Sequence, residues 1–463
     1  MRSGEDLDKG LNIDLDNKSD TDLNKTFYAD LDKKLDPDID KGPVSDQDKE
    51  PESALDMKAN HTFSKESETD LYVKADAHFS KGPELDLNMR PKKDKDKRAT
   101  SDQYKMSTKN LPAKENPTSM KTHILIFATT RSGSSFLGQL FNHHPDVFYL
   151  FEPLFHIERS GTSNHRLYSN VLRRLFDCNL RSLERYIKPR PKNHITNQLF
   201  RRESSKAMCS PPVCTFHGHS KLNMNEKYCQ KICPSLNLTL ASEVCRQRQY
   251  VVIKAVRISE INTIRALVED PKLNMKIIQL VRDPRGILSS RISTFGFNGN
   301  LWRTWKKTGQ KPKNLEMTTI VKMCDDFFTS VATAQQQPSW LKGKYMLVRY
   351  EDLALNPIQW AKKILTNTKI SLDSRVFSWL QSTINGGREN VVNRKYGTVR
   401  NSTAEAEDWR LKLPYVVAKY TQTLCERTLK QLSYKKVNSE GELKNMSLTL
   451  IENRKTFEEI SLP

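Results

Sequence analysis

The chain has 463 residues, 37% of them hydrophobic and 28% charged, which suits one large domain or two ordinary ones. Its longest apolar runs are about eight residues, well short of the roughly 20 that a membrane-spanning helix needs, so the sequence shows no segment of that kind. A formal net charge of +20 favours a polyanionic partner such as nucleic acid, an anionic membrane or an acidic glycan, although a solvated basic surface would give the same balance.

The first 110 residues differ in composition from the rest of the chain. They hold 20 Lys and Arg against 26 Asp and Glu, so the remaining residues carry a surplus of 26 positive charges. Short acidic phrases such as DLDK, DLDN and DLNK recur loosely, and aromatic residues are few. Such a segment cannot bury enough apolar surface to offset the entropy lost on ordering it. We predict a disordered acidic stem or linker over 1–115, followed by a basic folded region.

From residue 120 onward, short apolar runs alternate with segments of helical periodicity. Strands are predicted at Ile124–Ala128, Tyr250–Val256, Met275–Val281 and Tyr345–Arg349. Helices are predicted at Ser134–His143, Ile261–Glu269, Gly286–Ser293, Met317–Ala334 and Tyr415–Gln431. This alternation predicts an α/β fold with a central parallel sheet and helices on both of its faces. The folded domain is predicted over 120–440, with a C-terminal tail over 441–463.

Six of the eight cysteines lie near 178–245, a loop-like stretch that we expect to insert between the first two predicted strands. The spacing C-x4-C-x14-C-x3-C, from Cys209 to Cys233, suits either a zinc site or a set of disulfides. Six N-glycosylation sequons favour a secretory compartment, and therefore disulfides, although the pairing stays open. The sequons begin at Asn17, Asn24, Asn60, Asn237, Asn401 and Asn445.

The most informative motif is HILIFATTRSGSSFL, residues 123–137. An apolar run leads into a turn of small and hydroxylated residues at 129–135, after which helical periodicity begins. Such a connection points backbone N–H groups and the positive end of a helix at one anion, for example phosphate or sulfate. The nucleotide-triphosphatase pattern GxxxxGK[ST] is not matched, because no lysine follows Gly133 and Arg131 precedes it by two positions. The motif therefore predicts an anion site that does not resemble an ATP site.

A second motif, VRDPRGILSSR, covers residues 281–291. Arg282 ends a predicted strand, and Ser290 lies eight residues later on the helix that follows. A guanidinium and a hydroxyl in these places can converge on one phosphate. The alternative is an ordinary structural corner, because RDP is common where a strand ends.

A third motif, FYLFEPL, places Glu152 among apolar residues. A buried carboxyl tends to have a raised pKa and can accept a proton, which predicts a general base. The alternative is an ion pair with one of the many arginines. Lys254 and Arg257 in IKAVR also lie at a strand end, where they could contact a donor or an acidic glycan, or form surface ion pairs.

In this order along one chain, the motifs resemble the Golgi carbohydrate 6-O-sulfotransferases. These enzymes transfer sulfate from PAPS (3′-phosphoadenosine 5′-phosphosulfate) to galactose, N-acetylglucosamine or N-acetylgalactosamine. The resemblance covers roughly residues 120–455 and rests on ATTRSGSSFLGQLF, FYLFEPLFH, IQLVRDPRGILSSR, KGKYMLVRYEDLA and KYGTVRNS. The galactose-directed branch that acts on keratan sulfate is nearest, on DCNLRSLERYIKPRPKNH, MCSPPVC, KYGTVRNSTAEAEDWR and ELKNMSLTLIE.

The resemblance implies a P-loop-like sulfotransferase fold over 120–440, with PAPS as donor substrate and no metal. It implies that Glu152 is the general base, that Arg131 neutralises charge on the moving sulfonate, and that Arg282 and Ser290 hold the 3′-phosphate. A late loop, Tyr396–Arg400, would close over the nucleotide. The implied 5′-phosphosulfate loop comprises Thr130, Arg131, Ser132, Gly133, Ser134, Ser135 and Phe136.

The same resemblance implies a sulfated glycan or proteoglycan as acceptor, a possible homodimer, and no nucleic-acid partner. It implies a type II membrane protein of the Golgi lumen, although this sequence shows no transmembrane segment. Two acceptor alternatives remain, namely chondroitin and N-acetylglucosamine. Outside this reaction, the alternatives are a non-catalytic glycan-binding protein with the same fold and a P-loop kinase, which the missing GK[ST] disfavours.

Overall fold

The computed structural model describes residues 120–161, 164–215, 226–296, 299–385 and 406–452. The strands are β1 (Thr122–Ala128), β2 (Val147–Phe151), β3 (Ile195–Thr196), β4 (Leu236–Asn237), β5 (Tyr250–Ala255), β6 (Asn274–Val281) and β7 (Tyr345–Arg349). The first eight helices are α1 (Ser134–Asn142), α2 (Phe155–Arg159), α3 (His165–Phe176), α4 (Glu226–Ile232), α5 (Leu238–Gln247), α6 (Arg265–Val268), α7 (Pro284–Phe295) and α8 (Gly299–Thr308). The others are α9 (Thr318–Gln335), α10 (Tyr350–Leu355), α11 (Pro357–Asn367), α12 (Ser374–Asn385), α13 (Trp409–Lys412), α14 (Tyr415–Leu424), α15 (Glu426–Gln431) and α16 (Glu440–Lys444).

A five-stranded sheet forms the centre of the fold, in the order β2-β5-β1-β6-β7. Every neighbouring pair runs parallel. The predicted parallel sheet is therefore confirmed. The sequence prediction omitted β2, because FYLFEPL had been interpreted only as a site motif.

Both faces of the sheet are covered by apolar side chains. Along β1, Leu125 and Phe127 belong to one hydrophobic cluster, whereas Ile124 and Ile126 belong to the other. Successive side chains of a strand point to opposite faces, so a strand that is apolar throughout must be covered on both sides. On the first face lie residues of α3, α9 and α14, and on the second lie residues of α1, α11 and α12.

The topology brings the predicted site residues to one edge. In parallel strands all carboxyl ends meet at the same edge, and ligands bind there where the strand order reverses. Here the chain passes from β1 to β2 on one side, and later from β5 across β1 to β6 on the other. Arg131 follows β1 by three residues, while Glu152 and Arg282 directly follow β2 and β6.

The cysteine-rich insertion lies between β2 and β5 and is held by disulfides. Within it β3 pairs antiparallel with β4, and the Asn237 side chain accepts hydrogen bonds from the first turn of α5. Disulfides, rather than zinc ligation, therefore account for the C-x4-C-x14-C-x3-C spacing. Three bonds lie in this part of the chain and join Cys178 to Cys245, Cys209 to Cys229, and Cys214 to Cys233. A fourth bond, outside the insertion, joins Cys324 to Cys425.

The C-terminal helices pack on the sheet, and the fold continues beyond residue 440. Leu443 and Leu450 are buried, and Tyr434 forms an isolated β-bridge with Ile451. The Arg410 guanidinium is fully buried and donates to the carbonyls of residues 442, 443, 445 and 448. The C-terminal tail predicted over 441–463 therefore begins inside the folded part of the chain.

Three predicted helices are present with ends within two residues of the prediction, and two are divided. The segment Ile261–Glu269 begins as a 3₁₀ helix, Ile261–Ile264, which leads into α6. The segment predicted as one helix over Tyr415–Gln431 forms α14 and α15, which are separated at Cys425. That residue is bonded to Cys324 on α9, a constraint that local periodicity does not contain. Within the ranges described above, no helix has the length and apolarity required to span a membrane.

Candidate active site

The loop between β1 and α1 requires a glycine at residue 133. Gly133 has φ +89°, and a Cβ added to it would lie 2.2 Å from the Tyr350 ring. Ser132 is buried, and its hydroxyl donates to the carbonyl of Thr129 at 2.8 Å. Within the described ranges, no side chain caps the N-terminus of α1. The first N–H groups of α1 are therefore placed to donate to an anion.

Arg131 connects the two halves of the predicted donor site. Its backbone is left-handed, with φ 71°, a conformation that costs of order 1–3 kcal/mol in most residues other than glycine. The Arg131 Nε donates to Ser290 Oγ at 3.0 Å, and its carbonyl accepts from Arg282 Nη1 at 3.1 Å. The structure thus brings together the loop and both residues predicted for the 3′-phosphate.

Arg282 is buried beside the Tyr350 ring. Its guanidinium lies 4.6 Å from the centre of the Tyr350 ring. Among the described residues, its Nε has no hydrogen-bond partner. A buried N–H without a partner costs free energy, so a phosphate oxygen at this place would relieve that cost.

A further arginine, which the sequence reasoning missed, holds the same loop. Arg291 donates to Thr129 Oγ1 at 3.1 Å and to the carbonyl of Thr130 at 3.4 Å. It directly follows Ser290 in the SSR segment of the second motif. A basic residue beside the predicted hydroxyl was the available signal.

Glu152 lies in a buried cluster of charges at the other end of the site. Its backbone has φ 45° and its side chain is almost completely buried. One carboxylate oxygen accepts from Lys254 Nζ, and the other accepts from Arg257 Nη1 at 2.7 Å. Arg257 also pairs with Glu158. Lys254 and Arg257 therefore form ion pairs, as one of the two alternatives predicted, and these pairs are buried rather than at the surface.

The prediction of a raised pKa at Glu152 is wrong. Burial alone would raise that pKa, but the charges of Lys254 and Arg257, and their hydrogen bonds, lower it to about 2. Burial also lowers the pKa of Lys254 to about 8, against the opposing effect of Glu152. The alternative interpretation, an ion pair with an arginine, is the one that the structure shows, and Lys254 adds a second cation.

The strand order separates Glu152 from the loop between β1 and α1, residues 129–133, by one intervening strand. We call this loop the anion loop. Phe151 lies opposite Lys254 on β5, and Lys254 lies opposite Ile126 on β1. Neighbouring strands are about 4.8 Å apart, so the backbones of β2 and β1 lie roughly 10 Å apart along this edge. The other residues predicted for the 5′-phosphosulfate site lie in this loop or in the first turn of α1, namely Thr130, Ser134, Ser135 and Phe136.

The predicted loop Tyr396–Arg400, with the sequon at Asn401, lies outside the described residues.

Comparison with known proteins shows the family to which the chain belongs. The profile of the sulfotransferase domain family matches residues 121–433. Carbohydrate sulfotransferase 1 of Danio rerio is 53% identical over 352 residues, covering 73% of this chain and 84% of that protein. Carbohydrate sulfotransferase 1 of Homo sapiens is 51% identical, covering 73% and 87%. Carbohydrate sulfotransferase 3 of Mus musculus is 39% identical, covering 75% of each. The chain therefore belongs to the sulfotransferase domain family.

Proposed function

We propose that this protein transfers sulfonate from PAPS to the 6-hydroxyl of galactose in keratan-type glycans. The observation that carries the proposal is the hydrogen-bonded connection of Ser290, Arg131 and Arg282 beside the Gly133 loop. A donor with both a 5′-phosphosulfate and a 3′-phosphate needs two anion sites held at a fixed separation. The similarity to carbohydrate sulfotransferase 1 supports a sugar acceptor.

The donor half of the reaction depends on stabilising negative charge. The N–H groups at the start of α1, with the hydroxyls of Ser134 and Ser135, would hold the 5′-phosphate. Arg131 would neutralise charge that develops on the sulfonate and on the bridging oxygen as their bond breaks. Arg282 and Ser290 would hold the 3′-phosphate, which distinguishes this donor from ATP.

The acceptor half requires the loss of one proton. The oxygen of the 6-hydroxyl forms a bond to sulfur while the bond from sulfur to the bridging phosphate oxygen breaks. Glu152 takes the hydroxyl proton, and the products are the sugar 6-sulfate and adenosine 3′,5′-bisphosphate. General-base assistance of this kind typically contributes about 10²–10⁴-fold to the rate.

A secretory location also belongs to the proposal. Four disulfides suit an oxidising compartment such as the Golgi lumen, where sulfated glycans are made. The surplus of basic residues after position 110 favours an acidic, already sulfated acceptor. The membrane anchor and the homodimer implied by the resemblance stay predictions.

Transfer of labelled sulfonate from PAPS to a panel of glycans tests the acceptor. The panel comprises keratan, chondroitin and oligosaccharides that end in N-acetylglucosamine. We expect label on C6 of galactose in keratan. Label mainly in chondroitin would contradict the galactose assignment, and donor binding without label in any acceptor would favour the non-catalytic alternative.

The variant Glu152→Gln tests the base. We expect turnover to fall by about 10²–10⁴-fold while adenosine 3′,5′-bisphosphate still binds. The matched control is Glu158→Gln, because Glu158 pairs with the same Arg257 from a more exposed position. Equal turnover in the wild type and in Glu152→Gln would remove Glu152 from the chemical step.

A further inference from the structure

The dipeptide Tyr350–Glu351, at the start of α10, contacts both halves of the proposed donor site, namely the loop at Gly133 and the turn at Arg282 and Asp283. It directly follows β7, which pairs with β6. The contacts of the two side chains indicate a role in positioning these two halves.

Tyr350 lies between the anion loop and Arg282. Its ring fills the space that a Cβ on residue 133 would need. The guanidinium of Arg282 lies over the same ring, at 4.6 Å from its centre. A cation over an aromatic face is attracted to it, so the ring fixes Arg282 relative to Gly133. One side chain therefore sets the spacing between the two anion sites.

Glu351 holds the start of the helix that carries Ser290. It is buried, and one carboxylate oxygen accepts from the backbone N–H of Asp283 at 3.0 Å. The other oxygen accepts from the Tyr434 hydroxyl at 2.7 Å. The Asp283 side chain in turn accepts from the backbone N–H of Arg285 and caps α7. The carboxylate thus ties the turn after Arg282 to the C-terminal part of the fold.

We propose that Tyr350 and Glu351 are positioning residues that fix the 3′-phosphate site relative to the 5′-phosphosulfate loop. Tyr350 acts on both anion sites, whereas Glu351 acts through Asp283 on the 3′-phosphate site alone. This inference rests on the proposed function, because it concerns the same donor.

A neutral Glu351 can keep the same hydrogen bonds. Burial raises its pKa to about 7, the charge of Arg282 opposes that rise, and the charge of Asp283 adds to it. A glutamine can also accept from Asp283 N–H and can donate to the Tyr434 oxygen. Glu351→Gln is therefore the conservative variant, and Glu351→Leu removes both bonds at similar size.

The test compares the dissociation constants of adenosine 3′,5′-bisphosphate and adenosine 5′-monophosphate, measured by calorimetry on the full chain. For Glu351→Leu we expect about tenfold weaker binding of the bisphosphate and little change for the monophosphate, because only the former has a 3′-phosphate. Glu351→Gln should keep the wild-type preference for the bisphosphate. Tyr350→Ala should weaken the binding of both nucleotides, and Tyr350→Phe should bind both as the wild type does. Asp352→Asn, on the same helix, is the control that should change neither constant.

Two further readouts separate positioning from general damage. The KM for the acceptor should stay at its wild-type value in Glu351→Leu while the KM for PAPS rises. If Glu351→Leu does not fold, Tyr434→Phe removes one of the two bonds and should lower the preference by about threefold. The inference would be overturned if Glu351→Leu weakened the binding of both nucleotides equally. If Glu351→Leu cannot fold, an unchanged preference for the bisphosphate in Tyr434→Phe would overturn it.

The proposed function and this inference fail in different ways. If the wild type shows no preference for the bisphosphate, the proposed donor is wrong and the inference falls with it. If the wild type shows the preference and Glu351→Leu keeps it, only the positioning role is wrong.

Discussion

Glu152, the proposed general base, has two cationic partners that limit its basicity. Its pKa of about 2 keeps the carboxylate ionised at any physiological pH, but also makes proton uptake unfavourable. The same pairs stabilise the fold. Because the folded pKa lies below the unfolded value near 4.5, their contribution is present above about pH 4.5 and is lost as the pH falls toward 2.

The pH dependence of kcat/KM should follow from these partners. For the wild type, titration of Glu152 should produce no acid limb between about pH 5 and 7, because the free-enzyme pKa lies far below this range. In Lys254→Met, the pKa of Glu152 should rise, because Arg257 alone then opposes the effect of burial, so that activity falls toward lower pH.

The control for this profile is Glu351→Gln, because the pKa of Glu351 is raised to about 7 and titrates in the same interval. Both comparisons should therefore be made in that background. An acid limb of equal position with and without Lys254 would contradict the assigned role of the lysine.

Gly133→Ala should inactivate the donor site. The new methyl group meets the Tyr350 ring at 2.2 Å, and φ +89° is unfavourable for alanine. We expect the KM for PAPS to rise by at least about tenfold, because the displaced ring also supports Arg282.

A matched control separates strain from collision. Gly161 has φ +78° with open space around its Cβ position. Gly161→Ala should therefore cost about 1 kcal/mol of stability and leave the KM for PAPS unchanged. A similar loss of donor binding in both variants would mean that backbone strain, rather than the Tyr350 contact, is responsible.

At the scale of elements, disulfides define the ends of helices as well as the insertion. Cys324 on α9 is bonded to Cys425 between α14 and α15, across 101 residues. Cys214 and Cys233 close a shorter loop, with a separation of 19 residues. In the chain-entropy account, the longer loop restricts the unfolded chain more strongly.

Removing each disulfide should therefore give a graded loss of stability. The pair Cys324→Ala and Cys425→Ala should lose about 5 kcal/mol of unfolding free energy, and the pair Cys214→Ala and Cys233→Ala about 3 kcal/mol. Urea unfolding of the two double variants measures the difference. The reverse order would show that native contacts in the insertion outweigh the entropy of loop closure.

Local patterns predicted the elements better than their relationships. The strand, loop and helix around Gly133 follow from an apolar run, a turn and helical periodicity, all within 15 residues. The pairing of Glu152 with Lys254 depends instead on β2 lying beside β5, which are about 100 residues apart in the chain. The proximity of Tyr350 to Gly133 spans about twice that separation in the chain. These long-range placements account for the wrong pKa prediction at Glu152.

At the scale of the whole molecule, charge is distributed unevenly along the chain. The segment after residue 110 carries a surplus of 26 positive charges, whereas the first 110 residues carry a surplus of six negative ones. Three buried cations near the site, Lys254, Arg257 and Arg285, are paired with carboxylates. The proposed attraction of an acidic acceptor would therefore come chiefly from exposed basic residues.

Interactions of that kind are screened by salt, whereas buried pairs are screened much less. With PAPS held at saturation, the KM for a sulfated keratan oligosaccharide should rise several-fold between about 0.05 and 0.3 M salt, because the Debye length falls below about 10 Å. The matching unsulfated oligosaccharide should show little change, and kcat should stay constant for both. Equal salt dependence for the two acceptors would mean that the positive surplus does not serve acceptor binding, and that the basic surface has another partner.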